Sequence, residues 1–124
     1  TFPTEFKLYH LNLASLKQQL YKVVDNSVSH TTVISLPNAD GGFEDFEIVE
    51  SSNFDPALQA RFPQIRAFSG KGISDRTATL KLSYSPKGIQ TMLFRNNGKP
   101  NEFIETYSAD GNTYAVFKSN RKIG

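Results

Sequence analysis

Leucines at 13, 16 and 20 and a valine at 24 fall at the spacing of one helical face. Asn12, just ahead of them, can accept a backbone N–H as the N-cap, and Asp25-Asn26-Ser27 ends the pattern, so a helix over 13–24 is predicted. A lone helix of this length is marginal in water, and its apolar stripe is therefore expected to lie on a sheet. From Thr31 the period changes to two. Thr31 to Leu36 is rich in β-branched residues and stops at Pro37, and 38–42 (Asn-Ala-Asp-Gly-Gly) supplies turn residues able to take positive φ. The return strand runs from Phe43 to Glu50, with Phe46 and Ile48 expected inward and Glu47 and Glu50 in water.

Asp55-Pro56 reads as a helix start, Asp at the N-cap and Pro in the first helical position, giving a short helix to Phe62 that stops before Pro63. Ile65 to Ser69 is a strand candidate, and Gly70-Lys71-Gly72 reads as a flexible turn. Thr77 to Tyr84 alternates, with Ala78, Leu80, Leu82 and Tyr84 on one face. Turns at 86–88, 96–98 and 109–112 separate the strand candidates Ile89–Phe94, Phe103–Tyr107 and Tyr114–Phe117. The expected fold is α+β: a single domain over 1–124, with an antiparallel meandering sheet, one long N-terminal helix packed on one face and a short helix near 56–62. Ten Phe and five Tyr with no Trp point to an aromatic core between the layers.

At 124 residues the chain is long enough for one hydrophobic core, and 38% apolar with 21% charged residues suits a folded domain rather than a disordered one. No apolar run reaches the length of a membrane span and no signal-peptide core is present. The chain opens at Thr1 without methionine, as expected of a processed or excised piece. Cysteine is absent, which removes a disulfide framework, a thiolate zinc site and a cysteine nucleophile together. The net charge of +2 is unevenly spread: residues 1–60 carry three lysines and eight acids, −5, and residues 61–124 carry eleven bases and four acids, +7. Neighbouring strands with opposite exposed charges would account for this. A bipolar surface that orients a partner would do so too, less economically.

Reaction chemistry is hard to assemble. His10 and His30 lie at element edges, without a second metal-type residue at ligand spacing. No Gly-x-Ser-x-Gly elbow occurs, and Gly70-Lys71-Gly72 lacks the rest of a phosphate loop. Glu44 and Asp45 alternate faces on a strand and so point apart. Basic residues Arg61, Arg66, Lys71, Arg76, Lys81, Lys87 and Arg95 interleave with Phe62, Phe68, Tyr84 and Phe94, the composition of a single-strand nucleic-acid binder. Against that, those aromatics fall on faces the core needs, and the acidic first half would repel phosphate.

A series of fragments, in order, resembles the N-terminal propeptide domain of bacterial secreted zinc metallopeptidases of the reprolysin (adamalysin-like, metzincin) type. They are Leu11-Asn12-x-x-x-Leu16; Leu36-Pro37-Asn38-Ala39-Asp40-Gly41 leading to Phe46-Glu47-Ile48-Val49-Glu50-Ser51; Pro56-x-Leu58-x-Ala60-x-Phe62-Pro63-x-Ile65; Gly70-x-Gly72-x-x-Asp75; Ala78-Thr79-Leu80-Lys81-Leu82; and Ser85-Pro86-x-Gly88. They lie within residues 8–118. The resemblance implies a non-catalytic chain, secreted after removal of a signal peptide, that assists folding of a downstream catalytic metalloprotease domain of the same polypeptide and holds it inactive until cleavage. It implies no cofactor in this chain and zinc in the partner domain, with neither nucleic acid nor membrane as partner.

Many metallopeptidase propeptides set a cysteine thiolate on the zinc. None exists here, so inhibition would use a carboxylate, a histidine or steric cover of the cleft, with strand addition along the cleft edge physically suitable. The expected partner contact is the glycine-flanked loop Gly70, Lys71, Gly72, Ile73 and Asp75, with Asp75 foremost, although a turn or capping role is the commoner use of an aspartate in such a loop. Arg121 and Lys122 suit a processing site, or a solvated basic tail. The alternative to a propeptide is a stand-alone secreted module that binds a protein or glycan.

Overall fold

The computed structural model describes residues 6–24, 29–51, 56–61, 64–96 and 98–118. The described elements are strands β1 (Lys7–His10), β2 (Thr32–Pro37), β3 (Phe43–Glu50), β4 (Arg66–Gly72), β5 (Thr79–Ser85), β6 (Gly88–Phe94), β7 (Glu102–Thr106) and β8 (Thr113–Lys118), with helices α1 (Leu13–Tyr21) and α2 (Pro56–Arg61). All eight strands form one antiparallel sheet in the order β1-β8-β7-β6-β5-β4-β3-β2. The meander is as expected from the turn chemistry, but the α+β fold class with a long helix on one face of the sheet is not what forms. The molecule is mostly β, a curled sheet with one short helix of nine residues at its N-terminal side.

Helix α1 starts where the sequence places it, Asn12 Oδ1 accepting the Ser15 N–H at 3.0 Å. It ends early because its last turn tightens: Lys22 N–H bonds Gln19 O, and Val23 N–H bonds Leu20 O at 3.2 Å, an i→i−3 pattern. Val23 and Val24 remain buried beyond the helix, so the apolar stripe continues after the helical backbone has stopped. The predicted helix end at Asp25-Asn26-Ser27, the N-cap Asp55 and the stop at Phe62-Pro63 lie outside the described residues.

The layered arrangement fails because the sheet covers its own face. Rows of inward side chains run across the strands, among them Ile48–Gly70–Leu80–Leu93 and Phe68–Leu82–Thr91–Ile104–Val116. Strands far apart in the order meet. The Tyr9 ring of β1 packs edge-on against Phe43 of β3 at 5.7 Å, and Lys118 at the end of β8 reaches Asp40 between β2 and β3 at 3.0 Å. Helix α1 therefore occupies the seam between the two ends of the sheet. It is tied on the β8 side by Leu11 N–H to Asn112 O at 2.7 Å, and it packs on β2 with Leu20 fully buried.

Three local expectations change with the curl. Strand β1 is too short to show a period and was not anticipated; its pairing with β8 alone defines it. Glu50 lies on the inner face with Phe46 and Ile48, four and two residues away, and bonds Arg66 at 3.0 Å instead of facing water. Gly70-Lys71-Gly72 is the end of β4 rather than a flexible turn. Both glycines point inward where the backbone needs room: a Cβ on Gly70 would stand 2.7 Å from Ile48 Cγ2, and one on Gly72 would stand 2.2 Å from the Asp75 carbonyl oxygen.

Two stability outcomes follow. Leu20→Ala should lower unfolding free energy by about 2–5 kcal/mol, the usual range for a fully buried leucine, read as a shift of the urea midpoint at constant slope. Gly72→Ala should lie at or above the upper end of about 1–3 kcal/mol and exceed Gly70→Ala. At position 70 the nearest atom belongs to the Ile48 side chain, with the Glu47 carbonyl oxygen farther off at 3.2 Å, whereas at position 72 the nearest atom is itself backbone.

Candidate functional site

Charged residues occupy inward positions at one end of the curled sheet. Counting by twos along β6, the inner face runs Ile89, Thr91, Leu93 and then Arg95; along β7 it begins with Glu102 before Ile104; along β3 Glu44 precedes Phe46. Arg95 is only 6% exposed and Glu102 5%. The guanidinium is used on all sides. Nε donates to Glu102 Oε2 at 2.7 Å, Nη1 donates to Glu44 Oε2 at 2.9 Å and to Asp75 Oδ2 at 3.3 Å, and Nη2 engages Glu44 Oε1 and Glu102 Oε2.

The carboxylates are held in turn. Ala39 N–H donates to Glu102 Oε1 at 2.7 Å, and Asn38 Nδ2 donates to Glu44 Oε1 at 3.0 Å. Asn38 Oδ1 accepts from the Asp40 and Gly42 N–H groups and shapes the β2–β3 turn. One cation thus faces three carboxylates, a net charge of −2 beside a cavity of about 360 Å³ whose rim carries Asp40, Lys99 and Lys118.

The hydrogen bonds from Arg95 hold the Glu44 carboxyl below its ordinary range, against the opposing effect of burial, with Asn38 adding to them. Asp75 is also lowered, first by the Thr77 hydroxyl and then by the Thr77 N–H and Arg95. The Arg95 guanidinium is raised above its already high value, led by the bonds to Glu44.

The expected contact loop is divided by this arrangement. Gly70, Lys71 and Gly72 belong to β4, where Lys71 stands opposite Glu47 and Thr79. Ile73 is 43% exposed and donates its N–H to Asp45 O at 3.1 Å. Asp75 closes a turn, its Oδ1 accepting from the Thr77 N–H at 3.1 Å and hydroxyl at 2.6 Å, and it also joins Arg95. The structure therefore brings Asp75 together with Arg95, Glu44 and Glu102, three residues that sequence reasoning did not group. Their signal was available as charge at an inward parity in otherwise apolar strands. Arg121 and Lys122 lie outside the described residues.

The charge asymmetry of the sequence resolves into pairs between the halves: Glu44 with Arg95, Glu50 with Arg66, Asp40 with Lys118, and Glu47 opposite Lys71. Of the aromatics weighed for nucleic acid, Phe68 and Tyr84 are buried inside the sheet and display no stacking face. No group of three or more His, Asp or Glu able to hold a metal is present among the described residues. No helix among them is long and apolar enough to cross a membrane. A cavity of about 670 Å³ lies by Ile65, Tyr84, Gly88 and Thr106; burial raises the Tyr84 phenol there.

A second feature is main-chain. Ile73 N–H bonds Asp45 O, and Ser51 N–H bonds Ala67 O, so the odd-numbered residues of β3 turn their backbone toward β4. The antiparallel alternation then turns Glu44, Phe46 and Ile48 toward Leu36, Ile34 and Thr32 of β2. The N–H and C=O groups of Val33 and Ser35 consequently point away from the sheet. Among the described residues no strand pairs with β2 on that side. A groove of about 400 Å³ runs there between β2 and α1, lined by Leu11, Asn12, Ser15, Leu16 and Gln19 and by 33–36.

Comparison with protein-family models, with curated proteins and with solved structures finds no match.

The acid limb of stability should report the Arg95 cluster. Because the Glu44 carboxyl titrates lower in the fold than its free value of about 4.3, its contribution is complete above that value and disappears as pH falls through the lowered one. Urea midpoints measured from pH 6 to pH 2.5 should fall less steeply for Glu44→Gln than for the parent chain; part of the slope persists because Asp40, Asp75 and Asp110 are lowered too. Arg95→Met leaves the carboxylates without their cation and should cost about 3–5 kcal/mol at neutral pH.

Proposed function

We propose that the chain is a non-catalytic, secreted propeptide-type domain that associates with a zinc metallopeptidase domain of the same polypeptide, assisting its folding and restraining it until cleavage. The chemistry in this reading, zinc included, belongs to the partner. The reading is supported by the ordered fragments that resemble propeptides of reprolysin-like enzymes. The observation that carries it structurally is the outward-facing main chain of β2, because an edge of this kind binds another chain through backbone hydrogen bonds without requiring reactive side chains. The buried polar groups beside Arg95 are occupied in joining segments of this chain to one another.

A stand-alone secreted module using the same edge for a protein ligand is the second reading, and the partner separates the two. A reading frame continuing past Gly124 is expected to encode His-Glu-x-x-His-x-x-Gly-x-x-His. The separately produced peptidase domain should lose activity when micromolar amounts of this domain are added, and should refold in higher yield in its presence. Unchanged activity and unchanged refolding yield together would remove the propeptide function.

A further inference from the structure

The open side of β2 carries more information than its exposure. We propose that the groove between β2 and α1 accepts one extended peptide segment as an added strand, and that this segment carries a lysine or arginine on its outer face opposite Ser35. This rests on the interaction role given above and specifies the partner's chemistry.

The hydrogen-bonding pattern determines the geometry. Val33 and Ser35 offer two N–H donors and two C=O acceptors directed into the groove, spaced as the ladder of an antiparallel or parallel neighbour requires. Pro37 ends the usable edge, since it has no N–H to offer. An added strand would alternate its side chains, placing every second one inward over Leu11 and Leu16 of the α1 side and the others outward beside Val33 and Ser35.

Charge selects the outer residues. Moving outward from the groove, the row through Ser35 continues to Asp45 of β3, then to Ile73, which is 43% exposed. That row contains an exposed carboxylate and no cation. The next row passes through Val33 and Glu47 and meets Lys71 on β4. A lysine or arginine opposite Ser35 would lay its methylenes over the neighbouring strand and bring its charge toward Asp45. An acidic residue there would meet Asp45 and Glu47 with like charge. A second copy of this chain fits less well, because its own β2 (Thr-Val-Ile-Ser-Leu-Pro) supplies no cation.

The edge can be blocked without disturbing the fold. Ser35 is exposed, and its N–H is not part of the β2–β3 ladder, so Ser35→Pro removes a donor from the groove and spares the pairing within the sheet. A fluorescein-labelled nine-residue peptide alternating valine and lysine, and its valine–glutamate counterpart, are titrated into the full chain by fluorescence anisotropy. Thermal melts of each variant confirm folding.

The lysine peptide is expected to bind at least about tenfold more tightly than the glutamate peptide. Ser35→Pro and Asp45→Lys should each weaken it by about tenfold or more, and added salt should weaken it further. In amide spectra Val33 and Ser35 should be among the signals that move. Equal binding of both peptides, or equal binding to Ser35→Pro, would overturn the proposal. So would a dimer of the free chain in sedimentation that Ser35→Pro dissociates.

Peptidase inhibition separates this result from the broader function. If Ser35→Pro inhibits as well as the parent, the edge proposal falls and the propeptide function stands. If the lysine peptide binds as described and neither form inhibits, the edge stands and the propeptide function falls.

Discussion

Arg95 is the constraint on which the curl of the sheet depends. A guanidinium withdrawn from water must be surrounded by acceptors, because an uncompensated charge at such a site costs several kcal/mol. Its acceptors come from β3, β7 and the β4–β5 turn, and those carboxylates are anchored by the β2–β3 turn through Ala39 and Asn38. A flat sheet could not satisfy this set, since β3 and β7 are separated in the strand order by three other strands. A hydrophobic cluster would tolerate many arrangements of similar volume. The fork of one guanidinium accepts few, so the cluster specifies how this end closes as well as holding it together.

Closure at that end leaves a different problem along the seam. The strand order places β1 and β2 at opposite ends of the sheet, and the chain joins them through α1. Nine helical residues suffice because the inner face is already covered by its own side chains, and only the seam needs filling. The helix covers the apolar interior at Leu20 and leaves the outward main chain of β2 beside a groove. Exposed strand edges invite uncontrolled association unless they are short, charged or ended by proline. Here the edge is six residues long, stops at Pro37 and stands next to exposed Asp45 and Glu47, features that restrict it to partners with suitable charge.

The two halves of the sequence are complementary for the same reason. Acids concentrated before residue 60 and bases after it are drawn together by an antiparallel meander in which β3 neighbours β4 and the end of β6 curls back to the start of β3. Only part of this complementarity is exposed. Glu50 with Arg66 and Glu44 with Arg95 lie mostly out of water, and such pairs need their partners in order for the residues to be buried at all.

Local chemistry in the sequence was enough to determine the turns at 38–42, 86–88 and 109–112, the strands from β2 onward and the Asn12 cap, because each is set by a few neighbouring residues and by the two-residue alternation. It also determined which face of β5 is apolar. It could not determine the length of α1, where Val23 and Val24 keep the helical spacing while being buried by a turn, nor the existence of β1, whose four residues are defined by pairing with β8. Glycines 70 and 72 carried a signal of flexibility that only tertiary structure could correct: their freedom from side chains serves close approach by Ile48 and the Asp75 backbone. Inward charges at 44, 95 and 102 could be placed by parity, but their meeting could not, because parity holds along one strand and curl is a property of the whole sheet. The backbone sterics and local hydrogen bonds that set turns and alternation act over a few residues; the burial of a single guanidinium acts across the fold.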